Sequence, residues 1–294
     1  MRLWIDTDLG TNVDDAVALL AAVAHPAVEL VGVSTVGSDP ERRAAVAVGL
    51  LAAAGVDLGA VTVVAGEPGP RSAPSPGAAA SAGPASPVPA GAASPVPAGP
   101  GVGAGAVVEA VAGSGAEALL AIGPLTNVAA LTVAGVRPAD VTIMGGALHP
   151  VEHRGELRAV EHNFASDPDA AAAVLAVPGA VVVPLDATVA TRLDDRLVSK
   201  LVATAPVLQP MVQAWVDRWG EIVLHDPAAL LIAAGDGPEL GRFERRRLLV
   251  EPDGRLVDGG RGASGTVHDV VTCLFGVAVT ASVLALLADL KLGG

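Results

Sequence analysis

The chain is long enough for one large domain or two small ones, and its charge excludes several kinds of partner. Its 294 residues are 51% hydrophobic, and 18 Lys and Arg stand against 31 Asp and Glu, for a formal charge of -13. So acidic a chain repels phosphate backbones and anionic lipid, which disfavours binding to nucleic acid or membranes. A single cysteine, Cys273, excludes a disulfide framework or a multi-thiolate zinc site and fits a cytoplasmic protein.

Short apolar runs alternate with Ala- and Leu-rich segments along most of the chain. The apolar runs predict strands at 2–6, 29–36, 61–65, 118–122, 141–145 and 180–185. The segments between them predict helices at 14–24, 41–54, 104–113, 125–134 and 168–176. This alternation predicts one α/β domain over 1–294, with a mostly parallel, Rossmann-like open sheet covered by helices. Ligands bind at the carboxyl ends of the strands in such sheets.

Two segments depart from this alternation. Residues 66–103 are almost wholly Ala, Gly, Pro and Ser, a composition that predicts a mobile loop, either a lid over the site or a passive insertion. The uncharged run at 270–288 approaches the length of a membrane-spanning helix. Strand-forming residues at 276–280 and a capping serine, Ser282, instead favour a strand followed by a helix to Leu290.

Four carboxylates follow the first predicted strand: Asp6, Asp8, Asp14 and Asp15. One of the last two can cap the next helix, where a carboxylate suits the positive end of the helix dipole. The others repel one another unless a cation neutralises them. Clustered carboxylates suit a hard ion such as Ca²⁺ or Mg²⁺, so this segment predicts a metal site.

Five further motifs follow the acidic segment along the chain. They are Ser34-Thr-Val-Gly-Ser-Asp39, Ala121-Ile-Gly-Pro-Leu-Thr-Asn127, Ile143-Met-Gly-Gly146, Glu161-His-Asn-Phe-Ala-Ser-Asp-Pro168 and Leu224-His-Asp-Pro227. In this order, and together with the acidic segment, they resemble the inosine-uridine-preferring nucleoside hydrolases from residue 2 to about 235. The resemblance implies a calcium-dependent enzyme that hydrolyses the N-glycosidic bond of a ribonucleoside. It also implies an assembly of identical subunits, a dimer or a tetramer.

The resemblance also implies the metal ligands. Asp8, Asp15, Asp226 and the backbone carbonyl of Ile122 would hold Ca²⁺, a set of oxygens that suits this ion. Asp8 would in addition act as the general base that activates water. Asp6 would not bind the metal itself but would support the residues that do.

The residues implied for the sugar are Asp14, Asp39, Met144, Glu161 and Asn163. Asp14 would accept a hydrogen bond from a ribose hydroxyl, unless it caps the helix. Glu161 and Asn163 would hold the 3′ and 5′ side of the ribose, and a turn-stabilising role for Asn163 stays open. Asp39 stands where many members have asparagine, which alters its expected ribose contact. Met144 lines the sugar pocket or packs in the core.

The base end of the substrate is assigned to His225 and two tryptophans. His225 precedes the implied ligand Asp226, so it would protonate or contact the leaving base. Trp215 and Trp219 lie four apart on a predicted helix, and either stack on the base or pack in the core. His268 repeats the His-Asp dipeptide without another matching motif and is interpreted as structural. The 66–103 loop lacks the histidine that many members carry there.

Two polar positions in the motifs are interpreted as structural. Asp167 before Pro168 is typical of a helix cap with proline at the first helical position. Thr126 and Asn127 stand at a predicted helix start, and we interpret them as caps rather than ligand contacts.

Two other functions compete with nucleoside hydrolysis. Asp6-Thr-Asp8 after a first strand resembles the nucleophile and acid pair of haloacid-dehalogenase-like phosphatases. That chemistry also needs a lysine, and neither Lys200 nor Lys291 lies in a fitting motif. The second competitor is a catalytically silent protein that binds calcium or a nucleoside in the same pocket.

Overall fold

A computed structural model describes residues 1–10, 12–69, 101–153, 155–260 and 264–290. The strands, in chain order, are Arg2–Thr7 (β1), Glu29–Thr35 (β2), Thr62–Ala65 (β3), Ala118–Ala121 (β4), Asp140–Met144 (β5), Val151–His153 (β6), Glu156–Arg158 (β7), Val181–Val183 (β8), Arg192–Leu193 (β9), Ile222–Val223 (β10), Gly241–Val250 (β11), Leu256–Asp258 (β12) and Thr266–Leu274 (β13). Nine of them form one sheet in the order β12-β11-β13-β8-β5-β4-β1-β2-β3. β6 pairs with β7 and β9 with β10 in two small antiparallel sheets.

The α-helices, in chain order, are Val13–Ala24 (α1), Pro40–Ala53 (α2), Ala104–Ser114 (α3), Thr126–Val133 (α4), His162–Ser166 (α5), Pro168–Leu175 (α6), Leu185–Thr188 (α7), Asp195–Thr204 (α8), Gln209–Trp219 (α9), His225–Ala233 (α10), Gly237–Leu240 (α11) and Gly276–Asp289 (α12). Short 3-10 helices cover Val189–Thr191 and Pro206–Leu208.

The sheet is parallel from β3 through β1, β4, β5 and β8 to β13, and antiparallel only where β11 joins β13 and β12. Two apolar clusters cover its faces. One contains residues of α1, α2, α10 and α12, and the other contains residues of α3, α4 and α6. Successive side chains of β1 alternate between these clusters, since Leu3 and Ile5 enter the first and Trp4 the second. The predicted single α/β domain is confirmed.

Trp4 links the core to the carboxyl end of the sheet. Its ring lies over the neighbouring strand at Gly32, where an added Cβ would come within 2.1 Å of the ring. Only glycine leaves room for the indole there. Its buried Nε1 donates to Ser34 Oγ at 2.9 Å, which satisfies the indole and fixes the serine at the end of β2.

The predicted strands and helices before residue 185 are confirmed, with ends that shift by at most two residues. The prediction for 276–280 is wrong, because these residues begin α12 and the strand β13 precedes them. Val279, Val283 and Leu287 recur every four residues and are fully buried, so helical periodicity outweighs the strand preference of valine. Ser282 therefore lies inside the helix.

Among the residues that the structure describes, no helix is long and apolar enough to cross a membrane. The prediction of a mobile loop at 66–103 falls mostly on 70–100, outside the described residues. At the described ends of this segment, the Glu67 carboxylate accepts a hydrogen bond from the Ala104 amide at 2.9 Å, at the start of α3.

Candidate active site

Three buried carboxylates meet at the carboxyl end of the central strands. Asp14 and Asp15 lie in the first turn of α1, Asp226 lies in the first turn of α10, and these two helices pack together. One oxygen from each carboxylate can be chosen such that all lie within 4.8 Å of one another. We call Asp14, Asp15 and Asp226 the carboxylate group.

Burial is the largest influence on the pKa values of two carboxylates in this group. It raises the pKa of Asp15 and of Asp226 well above the usual value, and repulsion from the neighbouring carboxylates raises both further. Asp15 Oδ2 is buried and has no hydrogen-bond partner within the described part of the chain. Three carboxylates, together with this buried oxygen of Asp15, suit a hard divalent cation. The positive charge of such an ion would offset the desolvation cost of the carboxylates and their mutual repulsion.

Asp8 lies beside the carboxylate group, at the end of β1. It is buried, and its charge contributes to the raised pKa values of Asp15 and Asp226. The structure thus brings together all the aspartates implied for the metal and also places Asp14, implied for the ribose, among them. Asn12, not Asp14, is the N-cap of α1, although Asp14 and Asp15 both lie in the first turn, where a carboxylate suits the positive end of the helix dipole.

A second layer of hydrogen bonds fixes the segment that carries these aspartates. Thr7 Oγ1 donates to Asp15 Oδ1 and accepts from the Leu9 amide at 3.0 Å. Asp6 is fully buried, and its Oδ1 accepts from Ser34 Oγ and from Asn127 Nδ2. Burial raises the pKa of Asp6 to about 7 even though these two hydrogen bonds lower it.

Asn127 is not a helix cap, and the prediction for it is wrong. α4 begins at Thr126 after Leu125, with no side-chain capping bond. The amide of Asn127 instead reaches Asp6 at 2.8 Å and Thr35 O at 3.1 Å, and its carbonyl oxygen accepts from the Glu67 amide at 2.9 Å. Asn127 therefore lies where three strands end, and both its amide nitrogen and its carbonyl oxygen have hydrogen-bond partners there. These buried hydrogen bonds, rather than a capping bond, account for its position. Thr126 also does not cap α4; its hydroxyl donates to Asp167 Oδ2 at 2.6 Å.

Asn163 connects the ends of two neighbouring strands. Its Nδ2 donates to Ile122 O at 3.3 Å, just after β4, and to Met144 O at 3.1 Å, at the end of β5. The Ile122 carbonyl, implied as a metal ligand, can accept a second interaction because it has two lone pairs. The side chain of Met144 is buried in the core and its sulfur lies 3.8 Å from Asn163 Nδ2.

Glu161 is the N-cap of α5. Its carboxylate accepts from the amides of Asn163 at 2.7 Å, Phe164 at 3.2 Å and Gly146 at 3.0 Å. Burial raises the pKa of Glu161, against the lowering effect of these donors. The chain passes close to the Phe164 ring at Gly145, where an added Cβ would lie 2.4 Å from the ring. The implied ribose contacts of Glu161 and Asn163 stay predictions.

His225 stands next to Asp226 and is held by a buried threonine. Its Nδ1 lies 2.6 Å from Thr188 Oγ1, and the same hydroxyl donates to Leu185 O at 3.0 Å. With the one hydroxyl hydrogen of Thr188 given to Leu185 O, Nδ1 is the donor in this pair, so Nε2 is the nitrogen that takes up the second proton when His225 becomes an imidazolium. The ring of His153 stands edge-on to that of His225, with ring centroids 5.1 Å apart.

The tryptophans occupy one face of α9, as their spacing predicts. Trp215 is buried, its Nε1 donates to Glu221 O at 3.0 Å, and its ring lies 5.9 Å from that of Trp219. The guanidinium of Arg218 lies 4.9 Å from the Trp219 ring. Both rings pack against the main core, which is one of the two interpretations given for them.

The remaining predicted residues make structural hydrogen bonds, two of them as helix caps. Asp39 has a left-handed backbone with φ of 58° and caps α2, accepting from the Arg42 amide at 3.3 Å. Asp167 caps α6 as predicted, accepting from the Ala170 amide at 3.1 Å. His268 is buried in β13 with Nε2 3.0 Å from Leu175 O, in agreement with its structural interpretation.

Three residues at the site carry no signal in the sequence: Arg43, His153 and Thr188. All three lie outside the matched motifs. Each belongs to the site because it contacts Asp8 or His225, which are distant from it in the sequence. His153 belongs to the β6–β7 hairpin, which the strand pattern does not predict because each strand has three residues.

Several solved structures share this fold. A purine-preferring ribonucleoside hydrolase from Gardnerella vaginalis is 21% identical over 99% of both chains, with a TM-score of 0.76. An inosine-uridine preferring nucleoside hydrolase from Bacillus anthracis is 18% identical over 98% of this chain and 99% of its own, with a TM-score of 0.72. A plant nucleoside hydrolase is 20% identical over 98% of both chains, with a TM-score of 0.73. No curated protein matches the chain.

A parallel sheet covered on both faces, with buried carboxylates gathered at its strand ends, defines an α/β enzyme with a site suited to a metal ion. The family model described as inosine-uridine preferring nucleoside hydrolase matches residues 3–274. The chain belongs to this family, whose members are N-glycosidases that bind a metal ion. The resemblance seen in the motifs is confirmed.

Proposed function

We propose that this enzyme hydrolyses the N-glycosidic bond of a ribonucleoside to free base and ribose, with calcium bound beside Asp14 by the other two members of the carboxylate group and their neighbours. The observation that carries the proposal is the meeting of Asp14, Asp15 and Asp226 within 4.8 Å, buried, beside Asp8 and His225. Asp15, Asp226, Asp8 and the Ile122 carbonyl are the proposed ligands. When bound, calcium supplies a positive charge that lowers the pKa of a water molecule and attracts ribose hydroxyls.

Separate side chains act on the ribose and on the base of the substrate. The reaction passes through an oxocarbenium-like sugar, so water must lose a proton while the base departs. Asp8 takes the proton from water as general base. Asp14, Glu161 and Asn163 hold the ribose hydroxyls, and Asp39 contacts the sugar from the loop after β2. Met144 packs in the core next to Asn163, and we propose that it also closes the sugar pocket at the end of β5.

The base departs toward His225. Thr188 holds Nδ1 of His225; as an imidazolium, His225 carries on Nε2 the proton that passes to the leaving base, and as a neutral ring its Nε2 accepts a hydrogen bond from the base. Trp215 and Trp219 lie on the helix that precedes this residue in the chain, and stacking on the base is proposed for them.

Phosphatase chemistry is disfavoured by the surroundings of Asp6. That mechanism needs an accessible nucleophile, whereas Asp6 is fully buried and Ser34 and Asn127 bond its Oδ1. A silent binding protein has the same pocket, so only an assay separates it from the enzyme.

The test is a panel of purine and pyrimidine ribonucleosides assayed for reducing sugar, with a generic phosphomonoester as control. We expect free ribose from at least one nucleoside and no phosphate from the ester. Phosphate release alone selects the phosphatase. Tight nucleoside binding without sugar release, even with added calcium, selects the silent protein.

Two properties of the whole protein are proposed from other grounds. Assembly into a dimer or tetramer of identical subunits rests on the family resemblance, and a cytoplasmic location rests on the single cysteine. Light scattering on the purified protein measures the first, and fractionation of cells that express it measures the second.

A further inference from the structure

Arg43 is a buried cation at the edge of the carboxylate group. It lies on α2, and only 9% of its side chain is exposed. A guanidinium so buried costs desolvation energy unless its donors are used and its charge is balanced. Its Nη1 lies 3.9 Å from Asp8 Oδ2, which places it next to the proposed general base.

The donors of Arg43 reach two different loops. Nη1 donates to Leu9 O at 3.0 Å, in the loop between β1 and α1 that carries the aspartates. Nε donates to Ser38 O at 2.8 Å, in the loop between β2 and α2. A planar guanidinium with donors in fixed directions sets the relative position of the two loops, which the single ammonium of a lysine does not.

The charge and the hydrogen bonds of Arg43 have opposite consequences for calcium. A positive charge near the carboxylate group repels a cation, so its removal by itself strengthens calcium binding. The hydrogen bonds hold the Asp8–Gly10 segment in place, so their removal loosens the ligands and weakens calcium binding. The sign of the change in affinity therefore shows which effect of Arg43 dominates.

We propose that Arg43 is a positioning residue: it ties the loop after β1 to the loop after β2 and holds Asp8 and the metal-binding segment in place. This inference rests on the proposed function, because it concerns the calcium site of that reaction. Arg43 is assigned no contact with the substrate and acts through Asp8 and the Leu9 carbonyl.

The test measures calcium affinity by titration calorimetry on metal-stripped protein, with the melting temperature as a check of folding. Arg43→Lys keeps the charge and removes the forked donors, and we expect calcium to bind at least threefold more weakly. Arg43→Met removes the donors and also the repelling charge, so the two effects oppose each other, and we expect calcium to bind more weakly than in the wild type but by a smaller factor than loss of the donors alone would give. Arg42→Met removes the same charge one residue earlier on the same helix and serves as the matched control, with affinity within twofold of the wild type.

A second readout separates positioning from a general loss of structure. At saturating calcium, we expect kcat of Arg43→Lys for a ribonucleoside to fall at least tenfold and KM to rise by a smaller factor, because Asp8 shifts directly whereas Glu161 and Asn163, two of the residues proposed for the ribose, lie on other elements. Unchanged or tighter calcium binding in folded Arg43→Lys overturns the inference. If Arg43→Met does not fold, Arg43→Lys decides alone. A wild-type protein that neither binds calcium nor releases ribose refutes the proposed function instead.

Discussion

Replacing Asp6 by Asn changes stability in a way that depends on pH, and the structure gives the size of the effect. Burial raises the pKa of Asp6 from 3.8 to about 7 in the folded protein. Between these values the unfolded chain gives up this proton and the folded protein keeps it, so the wild type loses stability as pH rises. The full shift corresponds to about 4 kcal/mol, and about 2.5 kcal/mol of it falls between pH 5 and pH 8.

Asn removes this pH dependence but brings a cost of its own. Its Oδ1 keeps the donors Ser34 and Asn127. Its Nδ2 takes the place of Asp6 Oδ2, which has no hydrogen-bond partner among the described residues, and an unsatisfied buried donor costs about 1–3 kcal/mol. We therefore expect Asp6→Asn to be near neutral or destabilising at pH 5 and stabilising by about 1–3 kcal/mol at pH 8.

The assay is urea unfolding of the metal-free protein at several pH values between 5 and 8. The matched control is Asp57→Asn, which makes the same change at an exposed turn. A free-energy difference between Asp6→Asn and wild type that does not change with pH refutes the reasoning, because it means that folded Asp6 titrates at its ordinary pKa.

Four further substitutions test the site and the core. Asp8→Ala abolishes turnover and weakens calcium binding together, and near-normal activity contradicts the double role of this carboxylate. Asp226→Asn removes one of three charges from the carboxylate group and lowers calcium affinity at least tenfold by calorimetry. His225→Ala slows nucleoside hydrolysis by about 10²- to 10⁴-fold but nitrophenyl riboside little, because that leaving group departs without a proton. An equal loss on both substrates makes His225 a scaffold for Asp226. Gly145→Ala forces a Cβ against the Phe164 ring and destabilises the protein by about 1–3 kcal/mol in thermal unfolding; an unchanged melting temperature contradicts this close packing.

The strands and the location of the site could both be predicted because the sheet is mostly parallel and buried on both faces. Parallel strands buried on both faces read as continuous apolar runs, so β1, β2, β4 and β5 stand out in the sequence. Their carboxyl ends lie at one edge of the sheet, so polar residues that follow each strand meet there. This rule brings Asp8, Asp15, Ile122 and Asn163 into one region although up to 155 residues separate the first from the last.

What could not be predicted depends on contacts between distant parts of the chain. Arg43 looks like an ordinary helix residue, and only the position of Leu9 beside it makes it part of the site. Asn127 is a residue type common at helix starts, yet its partner is Asp6 on β1. At 276–280 the local strand preference of valine was misleading, because burial of Val279 against the core at helical spacing decides the conformation.

The most direct test of the central claim is to measure ribose release and calcium binding on the same metal-stripped protein. Calcium is added in steps, and a ribonucleoside cleaved in the panel is the substrate. The account predicts no ribose with chelator present, a rate that rises in proportion to bound calcium, and a parallel loss of both in Asp226→Asn. Full activity in excess chelator, or full activity in Asp226→Asn with calcium binding lost, would contradict it.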